Sequence, residues 1–187
     1  MNTPHIPCLR LGEEYHSLNE SEVKDYRDGS VKATMSQVNA GIIRRDLMQI
    51  GKAREALARF STRELVDISA KAGELFLNDD LPLGEGSMQS AQEYLETLSS
   101  TSGLPHVMVK RNMDKIHYAL THLELILNGL TRGIDFSILD KGHGEQAGAP
   151  VCFYPTTDAL GLVMPSNSPA VNSLWLPSIA LKIPIVM

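Results

Sequence analysis

The chain has 187 residues, of which 43% are hydrophobic and 21% are charged, and its net charge is −5 at pH 7. This length is enough to bury a sizeable core in one large domain or two small ones, and the composition is typical of a soluble globular protein. The negative net charge argues against a nucleic-acid partner, because phosphate binding needs clustered lysine and arginine.

The cysteine count and the hydropathy pattern indicate the compartment. Cys8 and Cys152 lie far apart, which fits a reducing compartment, although the sequence leaves a disulfide open. The chain does not start with a basic segment followed by an apolar run. The longest apolar stretch, residues 174–187, is interrupted by two prolines and a lysine, whereas a membrane span needs about 20 apolar residues. We therefore expect a cytoplasmic protein with no membrane partner.

The first elements are predicted from composition and apolar spacing. Residues 1–33 are polar, with scattered prolines and glycines, and predict an irregular N-terminal arm. Apolar residues then recur every few positions over residues 34–60, which predicts an amphipathic helix weakened by two glycines. Ser61 and Glu64 form a capping-box pattern that begins a second helix, and the segment up to Pro82 ends it.

Two further helices follow. A short helix is predicted over residues 87–98, and a turn rich in serine and glycine separates it from Pro105. Proline is favoured in the first turn of a helix, so Pro105 marks the start of a long helix that Gly133 ends. The apolar stripe that predicts the buried face of this helix is Val109, Met113, Ile116, Ala119, Leu120, Leu123, Ile126, Leu127 and Leu130.

After the long helix, the spacing of apolar residues in the sequence is no longer helical. Two β-prone runs, residues 135–139 and 151–154, are joined by a connector with three glycines, which predicts a hairpin or a longer exposed turn. Residues 160–164 predict a buried strand, and an apolar helix and a second apolar strand, residues 183–187, follow it. The sequence therefore predicts several helices, a small β excursion and a parallel β-α-β unit.

The turn within this unit has the strongest chemical signal in the chain. It follows the carboxyl end of a strand, where open α/β sheets bind ligands. Pro165 and Pro169 restrict the backbone on both sides of Asn167. A preorganised asparagine amide can donate to a developing oxyanion, whereas the structural alternative is a turn residue that satisfies its own backbone. Ser168 is a reasonable N-cap for the next helix.

Residues 160–169, Leu-Gly-Leu-Val-Met-Pro-Ser-Asn-Ser-Pro, keep a Pro-x-Asn-x-Pro spacing directly after the predicted strand. An apolar helix over residues 174–181 and an apolar strand over residues 183–187 follow. In this order the stretch resembles the aldehyde dehydrogenase superfamily, in which a Gly-Val-Val strand leads into Pro-Trp-Asn-Phe-Pro, a helix, a strand and Lys-Pro-Ser. Upstream, residues 53–64 are similar to the family's early helix pair, and residues 101–105 to its Thr-Gly-Lys-Pro turn.

The resemblance covers most of residues 40–187 and implies an α/β fold. The chain is then the N-terminal helical part of an aldehyde dehydrogenase-like fold, with the start of a Rossmann-type parallel sheet and a small β flap. The implied organisation is an irregular arm (1–33), the helical part of the cofactor-binding domain (34–133), a β oligomerisation flap (134–156) and a truncated first β-α-β unit of that domain (157–187).

The implied activity is that of an oxidoreductase with NAD or NADP as cofactor and an aldehyde or an acyl-CoA thioester as substrate. In the family a cysteine thiolate attacks the carbonyl, and Asn167 matches the position that donates to the resulting oxyanion. Met164, Pro165 and Ser166 match the segment beside the nicotinamide. The flap implies a homo-oligomer.

The sequence also departs from the family. Ser166 and Ser168 replace aromatic residues, which leaves open both a reshaped carbonyl pocket and an acyl-CoA reductase-like member. The catalytic-cysteine segment, the general-base Glu-Leu-Gly-Gly and the cofactor glycine motif are missing. Cys152 is predicted to be a core residue, and His143 an exposed loop residue. We therefore expect an inactive N-terminal fragment, and the alternative is a non-catalytic helical interaction protein built on the same scaffold.

Overall fold

The computed structural model describes residues 3–165 and 168–187, and these residues form a mixed α/β structure, as the sequence predicts. The helices are α1 (Ala40–Leu47), α2 (Ile50–Ala58), α3 (Thr62–Asn78), α4 (Ala91–Ser102), α5 (His106–Thr121), α6 (Leu123–Leu130), α7 (Ile138–Lys141) and α8 (Pro177–Ala180), with a 3₁₀ helix at Pro169–Leu174. The strands are β1 (His5–Ile6), β2 (Cys8–Arg10), β3 (Glu13–Tyr15), β4 (Glu20–Lys24), β5 (Val31–Ser36), β6 (Leu81–Gly84), β7 (Ser87–Gln89), β8 (His143–Gln146), β9 (Ala149–Cys152), β10 (Leu160–Gly161) and β11 (Ile185–Val186).

The N-terminal segment contains a small sheet, so the prediction of an irregular arm over residues 1–33 is wrong. In this sheet β1 pairs in parallel with β5, and β4 pairs with β5 in antiparallel fashion. Strand β4 exposes Glu20, Glu22 and Lys24 and half-buries the residues between them. This period of two is typical of a strand with one solvated face. Because this face carries many charged residues, the strand has no apolar run that could be recognised in the sequence.

Residues 34–60 do not form one helix. Their first residues belong to β5, and a two-residue break separates α1 from α2. Asn39 is the N-cap of helix α1, and its side chain accepts a hydrogen bond of 3.0 Å from the Ile42 N–H. Gly41 and Gly51 both lie in the first turn of a helix. Despite its low helix propensity, glycine at these positions does not break the interior of either helix.

Capping boxes begin α3 and α4. The Glu64 N–H donates to Ser61 Oγ at 3.2 Å and the Ser61 N–H donates to the Glu64 carboxylate at 2.7 Å, which confirms the predicted box. Ser90 and Glu93 make the same pair of bonds. Helix α4 therefore begins later than predicted, because residues 87–89 pair with β6 as a hairpin. The backbone N–H bonds, followed by the serine hydroxyls, lower the pKa of both glutamates.

The predicted long helix is divided at His122 into α5 and α6. The Thr121 hydroxyl donates to the His117 carbonyl oxygen at 2.9 Å, and such side-chain bonds to the preceding turn bend helices. Leu130 is exposed, so it does not belong to the buried face. Most other residues of the predicted stripe are buried, as expected: Val109, Met113, Ile116, Ala119, Leu123 and Leu127.

The predicted β run over residues 135–139 is wrong. The Asp135 carboxylate accepts a bond of 2.8 Å from the Ser137 N–H, and the chain then enters the short helix α7. The hairpin that follows pairs β8 with β9, so its first strand lies within the glycine-rich connector. Ala147 and Gly148 at its tip have φ of 51° and 80°, as a two-residue type I′ turn requires.

The C-terminal segment has the predicted order of strand, helical crossover and strand. The predicted buried strand over residues 160–164 is wrong, however, because β10 is only Leu160–Gly161 and Val163 is fully exposed. Strand β10 is parallel to β11, with Leu160 opposite Ile185 and Gly161 opposite Val186. The crossover is divided into the 3₁₀ helix and α8. Pro177 begins α8, because proline cannot continue a preceding helix but suits the first turn of a new one.

One buried cluster joins this unit to the helices. Leu65 and Val66 from α3, Leu123 and Leu127 from α6, and Ala180 from α8 pack together. Ala180 and Leu127 are each 0% exposed. The β-α-β unit is therefore positioned by α8, which rests on α3 and α6.

Candidate functional site

The candidate turn follows β10 at the carboxyl end of the parallel strand pair. Met164 is half-buried and Pro165 is exposed, so a ligand at this edge could reach both. Ser166 and Asn167, predicted as the cofactor-lining residue and the oxyanion donor, lie outside the described residues. The structure therefore describes the two ends of the turn.

The C-terminal end of the turn is held by a side-chain contact that the sequence did not predict. Asn112 on α5 donates from Nδ2 to Ser168 Oγ at 3.0 Å. Ser168 occupies the predicted N-cap position, before the 3₁₀ helix with Pro169 as its first residue, but its side chain makes no capping bond there. The hydroxyl instead connects the turn to α5.

We expect Asn112→Ala to lower the free energy of unfolding by about 0.5–1.5 kcal/mol, the usual net contribution of one hydrogen bond. Ser168→Ala should have a similar effect, and the double variant should cost clearly less than the sum of the two. Urea denaturation of the four proteins measures this coupling. Strict additivity of the two single effects would show that the Asn112–Ser168 bond does not hold the turn.

The helical segment after the turn is fixed by packing and by one local bond. Pro169 and Ala170 are buried. Trp175 Nε1 donates to Asn172 Oδ1 at 2.9 Å, and Trp175 packs against the cluster of Ile116, Ala119 and Leu176. The segment that follows the candidate turn therefore packs against α5.

An aspartate connects the crossover to the start of α3. Asp140 Oδ1 accepts from the Thr62 N–H and the Thr62 hydroxyl, both at 2.8 Å, and from Lys182 Nζ at 2.6 Å. Lys182 has a positive φ of 59°, a conformation that a non-glycine residue needs other contacts to hold. These contacts position the chain where it enters β11.

Partial burial acts to raise the pKa of Asp140, but the hydrogen bonds from Lys182 and Thr62 outweigh it and hold the pKa below its usual value. We expect Asp140→Asn to destabilise the protein by about 1–3 kcal/mol at pH 7, because it weakens charge-assisted bonds. A carboxylate whose pKa is lower in the folded protein than in the unfolded chain, about 3.9, stabilises the fold at pH values above that unfolded pKa. This stabilisation is lost as the pH falls through the folded-state pKa.

The difference in unfolding free energy between wild type and Asp140→Asn should therefore be constant from pH 7 to pH 5 and shrink below about pH 4. Denaturant titrations at each pH measure it. Asp158→Asn is the control, since Asp158 pairs with Arg54 at the surface, where ion pairs contribute little. A constant difference down to pH 2 would contradict the account of Asp140.

Neither cysteine belongs to a recognisable active site in the part of the chain that the structure describes. Cys152 is exposed at the end of β9, so its prediction as a core residue is wrong. Cys8 is half-buried, and its thiol donates to the Ser36 carbonyl oxygen at 3.1 Å.

His117 and His143 make structural contacts. His143 is exposed, as predicted, and its Nδ1 lies 3.0 Å from the Lys141 carbonyl oxygen. His117 Nε2 lies 2.9 Å from a Glu74 carboxylate oxygen. Within residues 3–165 and 168–187, no three histidine, cysteine or acidic side chains come close enough together to hold a metal ion.

A serine and a histidine also meet in the N-terminal sheet. His5 Nε2 lies 2.9 Å from Ser36 Oγ, and His5 Nδ1 lies 2.7 Å from Thr34 Oγ1. Ser36 is 3% exposed, and its hydroxyl oxygen accepts the Ser17 N–H at 3.0 Å. A substrate cannot reach this hydroxyl, so the contact is a structural one that joins β1 to β5.

A cleft of about 760 Å³ lies beside β11. Its described lining includes neither Met164 nor Pro165. Arg10 and Asp46 form a bidentate pair at its margin, at 2.7 and 2.6 Å. The hydrogen bond from Arg10 lowers the pKa of Asp46, so both side chains are charged and neutralise each other.

Comparison with known proteins gives no relative: no protein-family model, curated protein or solved structure matches the chain. In the part of the chain that the structure describes, no helix combines the length and the apolar character needed to cross a membrane.

Proposed function

We propose that this chain supplies the oxyanion-binding turn and the first parallel strands of an NAD- or NADP-dependent oxidoreductase that acts on an aldehyde or an acyl thioester. One observation supports this proposal above the others. The Pro-x-Asn-x-Pro segment begins at Pro165, a few residues after β10 (Leu160–Gly161), whose parallel partner is β11. The carboxyl edge of parallel strands is where α/β proteins bind their ligands.

In the proposed reaction a cysteine thiolate adds to the carbonyl carbon, and the carbonyl oxygen becomes an oxyanion. The side-chain amide of Asn167 donates a hydrogen bond to that oxyanion. Such a donor stabilises the transition state because it is already oriented when the charge develops. Pro165 and Pro169 restrict the backbone on both sides, and Asn112 holds Ser168.

The nicotinamide cofactor supplies the hydride acceptor or donor when it is bound. Met164, Pro165 and Ser166 are proposed to line its site. Because Pro165 is exposed and Met164 is half-buried, this end of the turn can contact a ligand at the strand edge. We further propose that the nucleophile and the general base come from residues other than Cys8 and Cys152.

The segment over residues 134–156 is proposed to be an oligomerisation flap. Strands β8 and β9 project a mostly exposed hairpin, and Phe153 and Tyr154 after it are also exposed. An exposed hairpin with aromatic neighbours can add to the sheet of a second copy.

The test is an activity panel on the complete enzyme that contains this chain. Reduction of NAD or NADP with aliphatic and aromatic aldehydes, and oxidation of NADH or NADPH with acyl-CoA thioesters, are followed by absorbance of the reduced nicotinamide. We expect turnover with one nucleotide and one of these carbonyl classes. Absence of turnover and of nucleotide binding would contradict the proposal and favour a non-catalytic helical interaction protein.

A further inference from the structure

Asn112 lies on the face of α5 that packs against the segment after the candidate turn. It precedes Ile116 by one helical turn, and residues four positions apart in a helix share a face. Ile116 packs with Leu176 and Trp175 from that segment. Asn112 is half-buried, and its Nδ2 donates to Ser168 Oγ at 3.0 Å. The bond therefore crosses the interface between α5 and the end of the turn.

Ser168 is the last residue of the turn before the chain becomes buried. Pro169 and Ala170 are buried, whereas Ser168 is half-buried and extended, with φ of −150° and ψ of 124°. The ring of a proline restricts ψ of the residue before it to this region. Ser168 is thus restrained by Pro169 on one side, and the bond from Asn112 gives it a second fixed point.

The small side chain at position 168 makes this hydrogen bond important. A large apolar side chain is immobilised by the many contacts that it makes in a packed interface. A serine makes few such contacts, so a directional hydrogen bond to its hydroxyl group is what orients it. The Asn112 amide therefore supplies the orientation that a larger side chain would obtain from packing.

We propose that Asn112 is a positioning residue for the oxidoreductase reaction: through Ser168 it sets the direction in which the turn presents the Asn167 amide. This inference rests on the proposed function, because its effect is on the reaction at that same site. Asn167 is bonded directly to Ser168 in the chain, so a rotation of Ser168 displaces it. An oxyanion donor must lie about 2.7–3.1 Å from the developing charge, and a displacement of about 1 Å can lower the rate by about 10²-fold.

A purely structural bond and a positioning bond have different kinetic consequences. Loss of a structural bond lowers stability but leaves the folded molecules with an unchanged site, so their kcat and KM stay the same. Loss of a positioning bond loosens a donor that acts mainly in the transition state, so kcat falls while KM changes little. The effects on kcat and on KM therefore distinguish the two roles.

The test is steady-state kinetics of the complete enzyme that contains this chain, with the carbonyl substrate and nucleotide that support wild-type turnover. Circular dichroism selects a temperature at which every variant is folded. Asn112→Leu keeps the volume of the side chain but removes the donor, and Ser168→Ala removes the acceptor. We expect each to lower kcat by about 10–100-fold with KM within about threefold of wild type. The double variant should be no slower than the slower single variant, since both changes break the same bond.

Two controls separate positioning from general destabilisation. Ser168→Thr keeps the hydroxyl group and suits an extended backbone, so its kcat should stay within about threefold of wild type. Ile138→Val opens a small cavity at a buried residue of α7 and destabilises the protein to a similar extent. It leaves the bond between Asn112 and Ser168 in place, so its kcat should not change.

The outcomes separate this inference from the proposed function. If the wild type is active, an unchanged kcat in Asn112→Leu, or an equal loss in Ser168→Thr or Ile138→Val, would overturn the positioning role alone. Additive losses from Asn112→Leu and Ser168→Ala would also overturn it. A wild type that neither turns over nor binds NAD or NADP would overturn the proposed function, and this inference with it. If Asn112→Leu does not fold, Ser168→Ala and Ser168→Thr decide the same question.

Discussion

Replacement of Leu127 by alanine is expected to lower the free energy of unfolding by about 2–5 kcal/mol, because it opens a cavity in a packed core. Leu127 is 0% exposed and packs in one cluster with Leu65, Val66, Leu123 and Ala180. This cluster is where the crossover helix α8 meets α3 and α6. The variant should therefore loosen the β-α-β unit together with the helices, and not one helix alone.

Leu125→Ala is the matched control, since Leu125 lies on the same helix but is 62% exposed. Both substitutions have the same effect on helix propensity, so their difference reports on packing. Urea titrations followed by circular dichroism give the midpoint and slope for each. Equal destabilisation by the two variants, or a loss below about 1 kcal/mol for Leu127→Ala, would show that α6 does not pack as described.

The local features of the helices could be predicted from sequence because their causes are local. Ser61 and Glu64 are three residues apart and satisfy each other at the start of α3. The stripe from Val109 to Leu127 repeats with the helix period and is mostly buried. Such patterns depend on neighbours within two turns, which the sequence displays directly.

The elements that the sequence did not predict depend on distant residues. Strand β1 is two residues long and exists because His5 and Ile6 pair with Thr34 and Met35. No local apolar run marks such a strand. The division of the long helix at His122 was also missed, since threonine at the preceding position is compatible with a helix and bends it only through its particular side-chain bond.

The candidate site shows the same contrast between features with local causes and features that depend on distant residues. The turn could be found because two prolines, an asparagine and a preceding strand are adjacent in sequence. Its supports could not, because Asn112 and Ser168 are 56 positions apart and Thr62 and Asp140 are 78 apart. An asparagine on a helix face and an aspartate in a short helix have no sequence pattern that distinguishes a support from a solvated residue.

The central proposal is that Asn167 donates to the oxyanion of the reaction. Replacing its side chain with a methyl group should leave folding intact, because the turn is held by the flanking prolines and by the Asn112–Ser168 bond. It should remove a donor that acts mainly in the transition state. The loss should therefore fall on kcat and less on KM.

The most direct measurement is steady-state turnover of the complete enzyme with Asn167→Ala, compared with Asn78→Ala, an exposed residue at the end of α3. We expect kcat of Asn167→Ala to fall by about 10²–10³-fold, equivalent to about 3–4 kcal/mol of transition-state stabilisation. Asn78→Ala should be near wild type. A folded Asn167→Ala enzyme with kcat within about threefold of wild type would contradict the oxyanion role of this turn.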